Sequence, residues 1–303
     1  MTLSIKSTIA RRKLLDSFFA VMGLTAMLVG TVTLIALILE LALDGGSRLS
    51  WQFFTSYPSR FAEKAGIFTA WIGTSLVMFV TAFTAIPLGI AAALYLEEYA
   101  PKNWMTDLIE INIANLAGVP SIVYGLMALG LFVYQFRLGQ SILTAGLTLA
   151  LLILPMVIIA TREAIRSVPN SIREAAYALG ATRWQTVKDH VVPYSTGGIL
   201  TGLIIALSRA IGESAPLITV GALSFIAFLP HPPWQPEFPY VSFQWLMDPF
   251  TVMPIQMFNW VSRPQEEFHL NAAGAGLVLM GMALAMNGLA IYIRLRFRKR
   301  VKW

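Results

Sequence analysis

Arg209 and Glu213 are two ionisable residues inside an otherwise apolar stretch of the chain. An ionised side chain at the middle of a bilayer costs at least ~2.5–3.5 kcal/mol, so such a residue is expected to face a partner or a water-filled path. Their i, i+4 spacing predicts a pair on one helix face. The arginine would keep further N–H donors for an oxyanion such as phosphate or sulfate. The pattern indicates an anion path, with a purely structural ion pair as the alternative.

A second informative segment begins at Ser171 and is too polar to cross a membrane. Ser171 and Glu174 have the Ser-x-x-Glu spacing of a capping box, in which each side chain bonds the other residue's backbone N–H. The apolar residues that follow at helical spacing are Ile172, Ala175, Ala176 and Leu179. Gly180 is expected to end this helix, because glycine enters the left-handed region freely. The spacing therefore predicts a short amphipathic helix.

Another capping box, from Thr182 to Gln185, predicts a second short helix, which Pro193 is expected to end. The two helices could lie among lipid headgroups, or they could fit a groove of another protein. An apolar stripe with two alanines is a poor lipid anchor. This composition favours a protein partner.

The elements that must position these residues are membrane-spanning helices. A helix needs about 20 apolar residues to cross the ~30 Å hydrocarbon layer. The segments that qualify are 17–39, 67–96, 113–134, 141–161, 194–229 and 271–293. Hydrophobic residues make up 56% of the chain and charged residues only 13%, which agrees with lipid as the main solvent. The sequence predicts an all-α membrane protein of six transmembrane helices, with the short amphipathic helices between the fourth and fifth.

Lysine and arginine predict the orientation, because cytoplasmic loops carry an excess of them. Basic residues concentrate in segment 1–16, in the loop at about 164–193 and in the tail 294–303. With six spans between residues 17 and 293, these three segments share one side. Both termini are therefore expected in the cytoplasm, and the long loop at about 230–270 is expected outside.

The long outer loop is rich in aromatic residues. They are Trp234, Phe238, Tyr240, Phe243, Trp245 and Trp260. Aromatic residues near a span commonly form an interfacial belt against the lipid. Because long loops usually have a function, a docking surface for an extracytoplasmic partner is the alternative.

Several other function classes are disfavoured. The chain has no cysteine, which excludes disulfides, thiolate metal sites and cysteine nucleophiles. Its three histidines, His190, His231 and His269, fall on different predicted sides, so no metal site, catalytic set or bound cofactor is expected. The net charge of +6 follows from the membrane topology rather than from nucleic-acid binding. A stand-alone channel or secondary transporter is the remaining class, but it would leave the amphipathic helices without a role.

The string Glu174-Ala-Ala-x-x-x-Gly180, with Val192-Pro193 at its far end, resembles the EAA loop of ABC importer permeases in residue type, spacing and position. The resemblance implies that the first short helix is a coupling helix that docks into a cleft of a cytoplasmic ATPase subunit. The residues it implies for this contact are Ser171, Arg173, Glu174, Ala175, Ala176, Leu179 and Gly180. The chain itself has no phosphate-binding loop of the Gly-x-x-x-x-Gly-Lys-Ser/Thr type, so ATP and Mg would be used by that partner.

Residues 208–217, Ser-Arg-Ala-Ile-Gly-Glu-Ser-Ala-Pro-Leu, are similar to a segment of the phosphate permeases, which have threonine in place of Ser214. The resemblance implies that Arg209, Glu213 and Ser214 line a path for inorganic phosphate. It also implies an importer in the bacterial inner membrane with a second homologous permease, a dimer of ATP-binding subunits and a periplasmic phosphate-binding protein. A permease for sulfate, molybdate or phosphonate is the alternative within the same class.

Overall fold

Long apolar helices make up most of the chain. The computed structural model describes residues 2–234, 238 and 240–298, and none of these residues belongs to a β-strand. The α-helices, α1 to α12 in chain order, are Thr2–Gly46, Trp51–Thr55, Phe68–Leu94, Trp104–Ala117, Ser121–Ala128, Ile142–Arg166, Asn170–Ala178, Arg183–Thr186, Val192–Gly212, Ala215–Thr219, Met253–Val261 and Glu266–Arg298. Residues 299–303 of the predicted basic tail lie outside the described residues.

Short turns of other helical types extend or separate these helices. The π-helical turns are Tyr95–Tyr99, Leu129–Gln135 and Val187–Val191. The 3₁₀ turns are Ala62–Lys64 and Gln244–Met247. Each π turn directly follows an α-helix, so it lengthens that helix by about one turn.

Among the described residues, five helical stretches are long and apolar enough to cross a membrane, and a bent helix pair brings the number to six. The five are Arg11–Gly46, Phe68–Tyr99, Ile142–Arg166, Arg183–Gly212 and Glu266–Arg296. They confirm the predicted all-helical membrane fold.

The bent pair replaces the predicted span 113–134. Helices α4 and α5, the latter with its π turn, meet at an angle of 105°. Pro120 lies between them with extended backbone (ψ 137°), and its ring nitrogen has no hydrogen to donate to α4. The third span is therefore broken at Pro120 rather than only kinked.

The predicted fifth span, 194–229, is wrong at both ends. Helical structure already begins at Arg183, because the π turn Val187–Val191 joins α8 to α9 and accommodates Pro193 in the first turn of α9. The second short helix is thus the start of the span. At the other end, Glu213 adopts extended backbone, and the short helix α10 ends before Gly221, whose φ of 93° favours glycine.

Small residues bring α6 and α9 together at the centre of the fold. Helices in lipid gain little from the hydrophobic effect, so close contact between small residues is a main source of their packing energy. A Cβ atom added to Gly198 would lie 2.7 Å from the Cβ of Ala164, and one added to Gly202 would collide with Ala160. Two glycines four residues apart therefore pack against two alanines four residues apart.

This contact predicts a loss of stability for Gly202→Val. The added side chain would push α9 away from Ala160, and overpacking of this kind costs about 1–3 kcal/mol. Gly197→Val is the matched control, because a Cβ there would meet no atom of the described residues within 4 Å. We expect the purified Gly202→Val protein to unfold at a lower temperature in detergent than the Gly197→Val protein. Equal unfolding temperatures would contradict the close contact.

The outer loop folds back onto the ends of α3 and α6. The backbone N–H of Ile142 donates to the carbonyl of Asp248 at 3.0 Å, and that of Met253 donates to the hydroxyl of Thr74 at 2.8 Å. Gly73 is required at this point, because the carbonyl of Thr251 occupies the position that a Cβ would take. The loop therefore forms part of the packed domain, and it contributes α11, which the sequence did not predict.

The aromatic residues of this loop divide into two groups. Trp245 and Trp260 are buried, with 7% and 0% of their surface exposed, and belong to the core. Trp234, Phe238, Tyr240 and Phe243 are exposed. Only the exposed group fits the predicted belt or docking surface.

Candidate functional site

Arg209 lies in the last turn of α9, in a helix that crosses the membrane domain. Its Nε lies 3.4 Å from Oε1 of Glu213, and its Nη1 lies 3.2 Å from the sulfur of Met156 on α6. The Arg209 side chain is 37% exposed within this chain. Among the described residues no hydrogen-bond partner of Nη2 occurs, so the arginine retains donors that an anion could use.

Glu213 and Ser214 lie in the break between α9 and α10 rather than on a continuous helix. The pair with Arg209 that the i, i+4 spacing predicts is present, although Glu213 is the extended residue that ends α9. The carbonyl of Ser214 accepts the backbone N–H groups of Leu217 and Ile218, each at 3.0 Å. The structure thus brings Arg209, Glu213 and Ser214 together at a broken helix, which is where irregular backbone in a membrane usually lines a cavity or binding site.

A polar contact beside Arg209 was not found by sequence reasoning. The Ser208 hydroxyl and the Asn287 side chain oxygen on α12 are 2.8 Å apart, and the same hydroxyl donates to the carbonyl of Ile204 at 2.7 Å. The Asn287 amide in the middle of the apolar sixth span was the available signal, because such residues usually bond across helices. This contact fixes the helix face that carries Arg209 relative to α12.

The predicted apolar stripe of α7 divides between two faces. Ile172 and Ala176 face the membrane domain, and Ile172 packs against a small core cluster that includes Val191. Glu174, Ala175 and Leu179 are exposed, with Leu179 at 90%. The exposed residues form a surface on which another protein could bind, as the resemblance implies.

The start of α7 differs from the prediction. The helix begins at Asn170 after Pro169, so Ser171 is inside the first turn and none of the described side chains caps the helix. The predicted capping box of Ser171 and Glu174 is therefore wrong. The second predicted box is confirmed, since Thr182 and Gln185 bond each other's backbone N–H.

The end of α7 agrees with the prediction. Gly180 has a φ of 83°, and the N–H of Ala181 reaches back to the carbonyl of Ala176 at 3.0 Å. This geometry favours glycine because a side chain would be strained there. Gly180 therefore sets the direction in which the chain leaves the exposed surface.

Arg173, which the resemblance implies for the ATPase contact, lies against the membrane domain instead of on the exposed face. Its Nη2 is 2.7 Å from Oε1 of Glu98, and only 15% of its side chain is exposed. Its guanidinium also donates to the carbonyls of Val168 and Ile165, at 2.8 and 3.2 Å. Arg173 thus connects α7 to the ends of two spans.

A second ionic cluster lies beside the Arg173 contact, and the sequence did not predict it either. Glu97 pairs with Arg162 at 3.3 Å and with Arg166 at 2.9 Å, and Glu110 on α4 pairs with the same two arginines. In the sequence Glu97 belongs only to a loop of mixed charge, and the arginines that pair with it lie about 65 residues further along the chain. The cluster joins α4, α6 and the end of α3.

Comparison with known protein sequences identifies a family and relatives that align with most of this chain. Residues 85–301 match the family described as "Binding-protein-dependent transport system inner membrane component". A "Probable ABC transporter permease protein YqgI" from Bacillus subtilis is 33% identical over 94% of this chain and 98% of its own. A "Phosphate transport system permease protein PstA" from Yersinia pestis is 31% identical over 92% of this chain and 89% of its own.

A solved structure shares the fold at low sequence identity. One chain of the MetNI methionine ABC transporter, in an inward-facing conformation, superposes with a TM-score of 0.54 and 15% identity. The superposition covers 77% of this chain and 94% of that one. With the helical architecture and the family match over residues 85–301, the chain belongs to the family of binding-protein-dependent transport system inner membrane components, the permeases of ABC importers.

Proposed function

We propose that this chain is a permease subunit of an ATP-driven importer of inorganic phosphate. The observation that carries the proposal is the position of Arg209, whose partly exposed side chain lies at the break between α9 and α10. Relatives named phosphate transport permeases, alignable over nearly the whole chain, support phosphate as the cargo. Arginine suits this cargo because its planar fork donates two parallel hydrogen bonds to a phosphate.

Arg209 would bind the anion while it crosses the membrane domain. Glu213 accepts only a long contact of 3.4 Å from Nε, so it can orient the guanidinium while a second anion competes for the remaining donors. The negative charge of Glu213 would also keep phosphate affinity low enough for release. Alternating access then requires that the surrounding helices open this site first to one side and then to the other.

The other components of the importer supply ATP hydrolysis and capture of phosphate. A dimer of ATP-binding subunits would bind the exposed face of α7, a second homologous permease would complete the pathway, and a periplasmic phosphate-binding protein would deliver the anion. The exposed apolar side chain of Leu179 supports the first contact. The excess of basic residues in the segments predicted to be cytoplasmic supports an inner-membrane protein with both termini in the cytoplasm.

Stimulation of ATP hydrolysis by different anions tests this proposal. The full complex would be reconstituted in liposomes with its binding protein, and hydrolysis would be measured with phosphate, sulfate or molybdate. We expect phosphate to stimulate hydrolysis and sulfate to leave it unchanged. Equal stimulation by sulfate would reject phosphate as the specific cargo, whereas failure of any ATPase subunit to bind would reject the importer itself.

A further inference from the structure

Two adjacent glutamates at the end of the second span point to different partners. Glu97 and Glu98 lie in the π turn Tyr95–Tyr99 that lengthens α3. Glu97 pairs with Arg162 and Arg166 of α6, whereas Glu98 pairs with Arg173 of α7. One short turn is therefore bonded both to the bundle of spans and to the helix that carries the predicted ATPase surface.

The Glu98–Arg173 pair is the more enclosed of these contacts. Only 6% of the Glu98 side chain and 15% of the Arg173 side chain are exposed, and Arg173 donates to Oε1 through both Nε (3.1 Å) and Nη2 (2.7 Å). Enclosed charges that bond in this way hold one geometry, because either charge left alone would remain desolvated and unpaired. The pair therefore fixes the distance between α7 and the end of α3.

The same arginine also contacts α6. Its bonds reach the carbonyl of Ile165, at the carboxyl end of α6 where carbonyl groups lack partners within the helix, and the carbonyl of Val168, in the loop that follows α6. Apolar packing of α7 on this side comes from Ile172 and Ala176. Because Arg173 is bonded to both, a displacement of α7 would move the end of α3 and the end of α6 at the same time.

We propose that Arg173 is a positioning residue that transmits movement of α7 to the second and fourth spans, with Glu98 as its receiving group on α3. This inference rests on the proposed ATP-driven transport. It assigns Arg173 to the inner side of the coupling helix rather than to the ATPase contact. Loss of the pair is expected to separate ATP hydrolysis from transport while α7 still binds its partner.

The test measures anion transported per ATP hydrolysed in the reconstituted complex. Glu98→Gln and Arg173→Gln are each expected to lower this ratio about tenfold, a coupling change within the range that such networks show. The ATPase subunit should copurify in wild-type amount with both variants. Because the two residues act through each other, Glu98→Gln should lower the ratio no further in the Arg173→Gln background.

Glu163→Gln is the matched control, because Glu163 pairs with Arg166 at 3.5 Å on the exposed side of α6 and makes no hydrogen bond or ion pair with α7 among the described residues. We expect its ratio to equal that of the wild type. Should Arg173→Gln fail to assemble, Glu98→Gln and Arg173→Lys provide the same comparison. A wild-type ratio in Glu98→Gln, or independent additive losses in the double variant, would overturn the inference. If the wild type transports another oxyanion, only the proposed cargo fails, because the ratio can then be measured with that anion.

Discussion

Arg209→Ala is expected to lower phosphate uptake at least tenfold while the complex still assembles. The substitution removes the guanidinium at the break between α9 and α10, and charge-assisted hydrogen bonds are worth about 1.5–3 kcal/mol each. We therefore expect transport to fall by roughly ten- to hundredfold or more. Uptake of labelled phosphate into proteoliposomes measures the loss, with the amount of purified complex as the reference.

The double variant Arg209→Ala/Glu213→Ala distinguishes an anion-binding arginine from a purely structural ion pair. If the pair were only structural, the loss in Arg209→Ala would come from the unpaired charge of Glu213. Removal of both charges would then restore transport. For an anion-binding arginine, the double variant should stay inactive even if its stability recovers. Arg209→Lys should transport poorly as well, since an ammonium group cannot form the two parallel bonds of arginine. Wild-type uptake by a well-assembled Arg209→Ala complex would contradict the proposed role.

Leu179→Asp is expected to prevent binding of the ATPase subunit. Leu179 is 90% exposed at the end of α7, and its position is stabilised by the left-handed turn at Gly180. A charged group placed in an apolar docking cleft loses its hydration without gaining a partner, and loss of a hot-spot residue near the centre of an interface costs about 2 kcal/mol or more. This corresponds to at least about thirtyfold weaker binding.

The amount of ATPase subunit that copurifies with the membrane domain measures this effect. Lys102→Asp is the control, because it introduces the same acid at an exposed position of another loop on the predicted cytoplasmic side. We expect Lys102→Asp to retain the subunit and Leu179→Asp to lose it. Equal retention by the two variants would place the ATPase contact elsewhere on the chain.

The sequence predicts the helices that depend on local composition. Apolar length identified the spans, and the Thr182–Gln185 box and the Gly180 stop were correct because capping bonds join residues three or four positions apart. Ser171 failed as a cap, since the chain after Pro169 already begins a helix at Asn170. The fifth span was misplaced because a π turn allowed helix to continue through Pro193.

The candidate site could be predicted only where its residues are neighbours in the sequence. Arg209 and Glu213 are four positions apart, so their pairing followed from helical spacing. Met156 beside Arg209, Asn287 beside Ser208 and Glu98 beside Arg173 depend on how separate helices pack. Such contacts result from the close approach of whole helices, which residue spacing does not specify.

Simultaneous measurement of phosphate uptake and ATP hydrolysis by the reconstituted complex tests most directly whether this chain belongs to a phosphate importer. The proteoliposomes would contain this permease, its partner permease and the ATPase subunits. The binding protein and labelled phosphate would be added on the side of the membrane opposite to the ATPase subunits. We expect ATP-dependent accumulation of phosphate that excess sulfate does not reduce. Accumulation without ATP, or equal competition by sulfate, would contradict a phosphate importer driven by ATP.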